Sequence, residues 1–248
     1  NLIKLCSLGY LEGLYSKYPR IDKELILKYH EGLIATTCCL GAEIPKTIIK
    51  HGVEKAEKLF KWWLDLFGED YYIELQRHHI PEQEEVNNVL LGWADKYNVK
   101  VIATNDSHYV DQENSNAHDI LLCLNTGAKQ STPTNKEFND EEGSAKGTRF
   151  AFYNDQFYFK KQDEMNRLFA DIPQAIDYTN EIVDKVDLLN LNKAIALPEF
   201  PFPKDFPTEM AYLRHLTMVG ARQRYEEIDG PKEERLNFEL DVIERMGF

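Results

Sequence analysis

Apolar residues along this chain recur in two periods, and the points where one gives way to the other mark out its elements. Leu2, Leu5, Leu8 and Leu11 form a helix-like stripe within residues 2–16. Asp22 is placed to cap a short helix running toward Tyr29. Gly32-Leu33-Ile34-Ala35-Thr36-Thr37 reads as a buried strand that enters a strand-to-helix corner at Cys38 to Glu43. Val53, Ala56, Phe60, Trp63 and Phe67 keep the spacing of an amphipathic helix, so their aromatic rings belong to a core. Tyr71 to Leu75 is strand-like. Pro81 suits a first helical position, and Glu82, Glu84 and Glu85 complement the helix dipole there. Val86, Val89, Leu90, Trp93, Ala94 and Tyr97 continue that helix on one face and deliver the chain to a third apolar run, Val101-Ile102-Ala103.

The second half is less regular. Ala117, Ile120, Leu121 and Leu124 predict a short helix ending at Gly127, with His118 beside its apolar face as a partly buried helix residue. Residues 129–149 are rich in Lys, Asn, Glu, Gly, Ser and Thr, which predicts a mobile insertion. Phe157-Tyr158-Phe159 resumes strand-like order, and helices are expected over Asp163 to Phe169 and Pro173 to Val186. Pro198, Pro201, Pro203 and Pro207 predict a stiff, extended linker over residues 198–207. Two charged helical patterns follow, at 208–227 and 231–246. A pair of helices this small cannot bury its apolar faces alone, so both are expected to belong with a further domain. Strand, helix and strand recur with polar residues after the strands: an α/β fold with parallel pairing, for which a barrel-like closure is natural.

The polar residues after the strands carry the candidate chemistry. In Thr104-Asn105-Asp106-Ser107-His108 an acid and an imidazole stand two apart. In extended backbone they leave on the same side, at the strand end where such folds place their sites. A carboxylate with an imidazole suits a divalent cation such as Zn²⁺ or Mn²⁺; a capping aspartate and a solvated histidine fit the pattern equally. Cys39, at the strand-to-helix corner, is either a core thiol or a thiolate ligand. Gln76-Arg77-His78-His79 ends the second strand with polar residues that face the same crevice.

Composition narrows the classes. The chain has 248 residues, 43% of them hydrophobic, enough for one core or a core plus an appendage. No run approaches the ~18 apolar residues of a membrane span, and a soluble protein is expected. Cys6, Cys38, Cys39 and Cys123 include no CxxC, which fits a reducing, cytoplasmic setting. A formal net charge of −13 argues against this segment being the main grip on a nucleic-acid backbone. The chain starts at Asn1 with helical patterning already under way, which reads as a piece of something longer.

Several blocks also carry a resemblance. They are Glu31-Gly32-Leu33-Ile34-Ala35 with Cys39-Leu40-Gly41-Ala42-Glu43-Ile44-Pro45, then Tyr72-Ile73-Glu74-Leu75-Gln76-Arg77-His78 and Ala103-Thr104-Asn105-Asp106-Ser107-His108-Tyr109. Further along come Ala117-His118-Asp119-Ile120-Leu121-Leu122-Cys123, Asp155-Gln156-Phe157-Tyr158-Phe159-Lys160, Leu168-Phe169-Ala170-Asp171-Ile172-Pro173-Gln174-Ala175 and Leu197-Pro198-Glu199-Phe200-Pro201. The closing Glu239-Leu240-Asp241-Val242-Ile243-Glu244-Arg245-Met246-Gly247-Phe248 completes a collinear set. Together they resemble the alpha subunits of the bacterial replicative DNA polymerase III, in the PHP (polymerase and histidinol phosphatase) domain and the lead-in to the palm.

The resemblance implies an incomplete distorted αβ barrel over residues 1–197, the linker, and a short all-helical segment over 208–248. It implies a metal cluster at the barrel mouth, with Cys39, Asp106 and His108 matching three of the family's ligands. Glu74 and His78 fall in a family motif near that mouth and are candidates for supporting residues behind the ligands. The family's early His-x-His and its next histidine and acidic ligands would precede anything in this chain. The insertion at 129–149 is longer than the family pattern.

Three functions follow from the resemblance. The first is a part of a DNA-directed DNA polymerase, a nucleotidyltransferase of chromosomal replication. Its Mg²⁺ carboxylates lie outside this chain, so the segment alone should not polymerise, and DNA is contacted mainly by parts absent here. The second is a metal-dependent phosphoesterase, acting in 3′–5′ proofreading or on a small phosphoester, with Zn²⁺ or Mn²⁺. The third is a non-enzymatic scaffold that docks a proofreading exonuclease. The rest of the alpha subunit is the expected partner in every case.

Overall fold

The computed structural model of this protein describes residues 1–134, 148–192, 194 and 198–247. Most of the insertion expected at 129–149 therefore lies outside the described residues. The chain forms two compact units, Asn1–Asp187 and Leu188–Phe248.

The first unit opens with α1 (Leu2–Leu11), which stops short of the expected residue 16. The chain instead makes a small antiparallel hairpin, β1 (Leu14–Tyr15) with β2 (Tyr18–Pro19), turning through Ser16 at φ +56°. Gly13 lies so close to the Arg20 carbonyl that a Cβ there would come within 1.9 Å of the oxygen, a contact only glycine permits. Asp22 caps α2 (Lys23–Tyr29) as predicted, accepting from the Leu25 N–H at 2.9 Å.

A parallel sheet follows. β3 (Ala35–Thr36) leads through α3 (Glu43–His51), α4 (Val53–Phe67) and a 3₁₀ turn at Gly68–Asp70 into β4 (Tyr71–Leu75). α5 (Pro81–Tyr97) then returns the chain to β5 (Val101–Ala103). β4 lies in the middle, pairing Ala35 with Tyr71 on one side and Ile73 with Val101 on the other. This mixture of helix and parallel strand was expected from the alternating periods. Among the described residues the sheet has three strands and does not close into a barrel.

The core is built where the α4 stripe meets the sheet. Phe60 is fully buried, with its ring 5.1 Å from Trp93, 5.5 Å from Tyr71 and 5.7 Å from Tyr97. Burying a side chain of this size contributes roughly 1.5–3 kcal/mol. Tyr71, Tyr72, Ile73 and Leu75 are all buried, so β4 is covered on both faces, as a central parallel strand must be.

After β5, a 3₁₀ turn at Gln112–Asn114 starts α6 (Ser115–Thr126), which ends at Gly127 in the left-handed conformation. Segment 157–159 does not form a strand. It makes an isolated bridge, Tyr109 with Tyr158, and the Phe157 carbonyl accepts from the His108 N–H at 2.8 Å. α7 (Gln162–Leu168) and α8 (Gln174–Lys185) complete the unit. Glu181 of α8 is tied to the sheet by the buried Tyr72 hydroxyl at 2.7 Å and by Lys100 at 2.6 Å.

In the second unit, residues 198–207 hold no helix or strand. Phe206 packs against Tyr212 and His215 of α9 (Glu209–Arg224). α10 (Gly230–Met246) contributes the buried Leu240, and Arg214 reaches Asp241 at 2.8 Å. Phe238 and Met246 stay exposed. Among the described residues no helix is long and apolar enough to cross a membrane.

Candidate functional site

Because β3, β4 and β5 run parallel, their C-terminal ends lie along one edge, and each continues into a polar segment. β3 leads to Cys38 and Cys39, β4 to Gln76 and His78, and β5 to Thr104, Asn105, Asp106 and His108. The edge is braced by one carboxylate. Glu74 of β4 accepts from the Thr36 hydroxyl at 2.6 Å and the Thr104 hydroxyl at 2.5 Å, with the Gln76 amide at 3.3 Å. A single side chain thus links all three strand ends. Thr37 adds to the brace, its hydroxyl accepting from the Glu74 backbone N–H at 2.9 Å.

Asp106 and His108 leave the edge together. Asp106 Oδ1 is 3.1 Å from His108 Nε2, and both side chains are more than a third exposed, so a solute can reach them. The His108 ring rests against Phe152 at 4.5 Å, with His118 5.7 Å away. His118 lies on α6 as expected, and burial together with the nearby His108 lowers its proton affinity.

Cys39 stands at the next strand end. A hydrogen bond from the Cys38 thiol, helped by the Gly41 backbone N–H, lowers its pKa to about 6, against the opposing effects of burial and of the Asp106 charge. Cys38 is pushed in the opposite direction by that same hydrogen bond. Cys38 sits at φ +60°, the left-handed region a non-glycine residue enters only at a cost, and His79, in the segment between β4 and α5, does likewise at φ +55°. Both strained residues lie on the edge that carries the candidate chemistry.

His78 is fully buried, its ring stacked 4.5 Å from Phe157 at an interplanar angle of 4°. Burial and the Lys160 charge depress its proton affinity. Its backbone N–H donates to Gln83 Oε1 at 2.6 Å, and its carbonyl accepts from Asn154 at 2.7 Å.

The donor chemistry suits a borderline divalent cation: an acidified thiol, a carboxylate and an imidazole on one edge. Asp106 and His108 are in contact, and the charge of Asp106 is felt at Cys39. Among the described residues, however, no three His, Cys, Asp or Glu side chains are gathered closely enough to hold a metal ion.

Sequence reasoning passed over Thr36, Thr104 and Lys160, since hydroxyls and a lone lysine carry no spacing signal. It also passed over a cleft of about 260 Å³ beside His108, lined by Tyr109, Asn116, His118, Asp119, Phe152 and Asp155.

Comparison with known proteins shows what the chain is similar to. The PHP domain matches residues 1–78. A DNA polymerase III subunit alpha of Borreliella burgdorferi is 41% identical over the whole chain, and one of Aquifex aeolicus is 40% identical over the whole chain. One of Thermus aquaticus is 39% identical over 91% of it. The chain spans about a fifth of the length of these relatives (20%, 21% and 18%). The match runs well beyond the PHP residues into the second compact unit. Residues 1–78 thus match the PHP domain, and the whole chain is similar to a stretch of about a fifth of these bacterial DNA polymerase III alpha subunits.

Proposed function

We propose that this chain is part of a replicative DNA-directed DNA polymerase: the downstream portion of its PHP domain, over residues 1–197, and the helical lead-in to its palm, over 208–248. The observation that carries this reading is the end-to-end similarity to polymerase alpha subunits. In this reading the three-stranded sheet is one arc of a distorted αβ barrel. Primer extension and its Mg²⁺ carboxylates belong to parts of the polymerase outside this chain, as does the main grip on DNA. The net charge of −13 supports that division.

Cys39, Asp106 and His108 would hold a Zn²⁺ or Mn²⁺ ion at the barrel mouth. When bound, such an ion supplies Lewis-acid polarisation of a phosphoester. The protein's own contribution is positional: Glu74 sets the spacing of the strand ends, Asp106 and His108 present an oxygen and a nitrogen side by side, and the Cys38 thiol favours the Cys39 thiolate. The mouth then serves proofreading or hydrolysis of a small phosphoester. That Cys39 is not gathered with the Asp106–His108 pair favours a second reading, in which the domain is a scaffold that docks a proofreading exonuclease.

Elemental analysis of the purified chain, set beside an Asp106→Ala, His108→Ala version, tests the metal reading. The expected result is metal in the first and none in the second. Metal in neither, repeated in the full-length subunit, would leave the scaffold reading. Primer extension by the full-length subunit tests the polymerase assignment, and a subunit that hydrolyses phosphoesters without extending a primer would overturn it.

A further inference from the structure

The hairpin after α1 has two chemically different sides. β1 and β2 pair Tyr15 directly with Tyr18, and Leu14 with Pro19. Directly paired residues leave a hairpin on one side and the next pair on the other. Pro19 is turned toward α1, where a Cβ placed on Gly9 would stand 3.7 Å from the Pro19 Cβ. Tyr15 and Tyr18 take the opposite side and remain in solvent, 65% and 39% exposed. Arg20 stands two residues beyond Tyr18 and so keeps its side; its guanidinium lies 4.3 Å over the Tyr15 ring. Lys17, in the turn, lies 5.2 Å over the Tyr18 ring.

Nothing in the fold uses this aromatic side. An aromatic ring gains most by burial, as Tyr71 and Tyr72 do in the central strand at 2% and 0% exposure. On the hairpin two rings instead stand side by side in water, about 5 Å apart at their Cβ atoms. The charge around them runs against that of the chain. The whole carries −13, yet residues 13–21 hold Lys17 and Arg20 and no acid. Arg20 forms no ion pair among the described residues. An apolar protein surface laid over these rings would desolvate the Arg20 charge without pairing it. A single nucleic-acid strand satisfies both features at once, because its bases stack on the rings and its phosphates meet the cations.

We propose that the Tyr15–Tyr18 side of the hairpin, with Arg20 and Lys17, is a contact for single-stranded DNA, built from none of the residues of the strand edge. The choice of DNA rests on the reading of this chain as part of a DNA polymerase. Two cations give a modest share of the affinity, so the contact guides a strand whose main grip lies elsewhere.

The test measures fluorescence anisotropy of a labelled oligothymidylate of about fifteen nucleotides, titrated with the full 248-residue chain at a series of salt concentrations. The expected result is saturable binding at low salt that weakens as salt rises. Tyr15→Ala and Tyr18→Ala, both at exposed positions, should each weaken binding about fivefold or more, while Tyr15→Phe keeps it, since stacking needs the ring and not the hydroxyl. Arg20→Met should make the slope of log affinity against log salt shallower by about 0.7, the contribution of one phosphate contact on a single strand. A duplex of the same length should bind more weakly, because its bases are already stacked on one another. No binding at low salt, alanine variants that bind like the wild type, or a duplex that binds as tightly as the single strand overturns the proposal. Primer extension by the full-length subunit reports the polymerase reading separately, so loss of one reading is told apart from loss of the other.

Discussion

Replacing Thr104 with valine removes one hydroxyl from the brace across the three strand ends, and with it the long 3.3 Å bond from the Gln76 amide, while keeping the branching and nearly the size of the side chain. The Thr104 hydroxyl donates to Glu74 Oε1 at 2.5 Å, while Thr36 holds Oε2 at 2.6 Å and Gln76 approaches Oε1 at 3.3 Å. A hydrogen bond to a charged group contributes roughly 1.5–3 kcal/mol. Glu74 keeps two partners in the variant, which places the expected loss at about 1.5 kcal/mol, the lower end of that range. Urea unfolding followed by tryptophan fluorescence suits the measurement, because all three tryptophans, Trp62, Trp63 and Trp93, lie in the first compact unit. The signal therefore reports the unit that contains the brace. A double-mutant cycle with Glu74→Gln isolates the pair, with an expected coupling of about 1 kcal/mol or more. Since Thr104 lies two residues before Asp106, the variant should also bind metal more weakly if the edge holds one. A Thr104→Val chain with an unchanged urea midpoint, or effects that simply add with those of Glu74→Gln, would refute the idea that this carboxylate joins the strand ends.

Three further outcomes are expected. Phe60→Ala should destabilise the first unit by about 3–5 kcal/mol in the same assay, because the fully buried ring has Tyr71, Trp93 and Tyr97 around it and the cavity cannot readily collapse. Cys39 should alkylate with iodoacetamide at neutral pH faster than an ordinary thiol, and Cys38→Ala should move the midpoint of its rate–pH profile upward, since the Cys38 hydrogen bond is the main cause of its acidity; an unmoved midpoint would rule that cause out. The Arg149 guanidinium, paired with Asp119 at 2.5 and 3.0 Å, holds the Asp119 carboxyl below the usual range. A pKa lowered on folding contributes stability above the unfolded value of about 4 and loses it as pH falls through the folded value. Arg149→Met should thus cost about 3 kcal/mol at neutral pH, at the low end for a buried pair because Asp119 keeps Gln130, and should flatten the acid-side decline in urea midpoint.

Much of the local architecture was legible because its causes are local. Asp22 caps its helix because a carboxylate one residue before the first turn meets free N–H groups whatever the rest of the chain does. The Tyr71–Leu75 strand, the Pro81 helix start and the Gly127 stop follow from β propensity, a fixed φ and a tolerated positive φ in the same way. Two local readings went astray for tertiary reasons. The leucine stripe ran on toward residue 16, yet the chain turns at Gly13 because its backbone closes on Arg20. Segment 157–159 has strand-like residues, but its contact with the 108–110 segment is a single bridge.

By itself the sequence determined the periods of the elements, the identity of the residues after each strand, and the collinear blocks that resemble the polymerase alpha subunits. Asp106 and His108, two apart, needed only an extended backbone to meet. What only the tertiary structure decided is which distant groups share a surface. Glu74 joins Thr36 and Thr104 because parallel pairing sets their registers through crossovers of some thirty residues or more, and no spacing along the chain encodes that meeting. Lys160 stands beside Asn105, and His78 loses all contact with solvent, through the packing of Phe157 against its ring. Periodicity states which face a side chain leaves from; burial and the partner it meets are set by whatever the rest of the chain folds against that face.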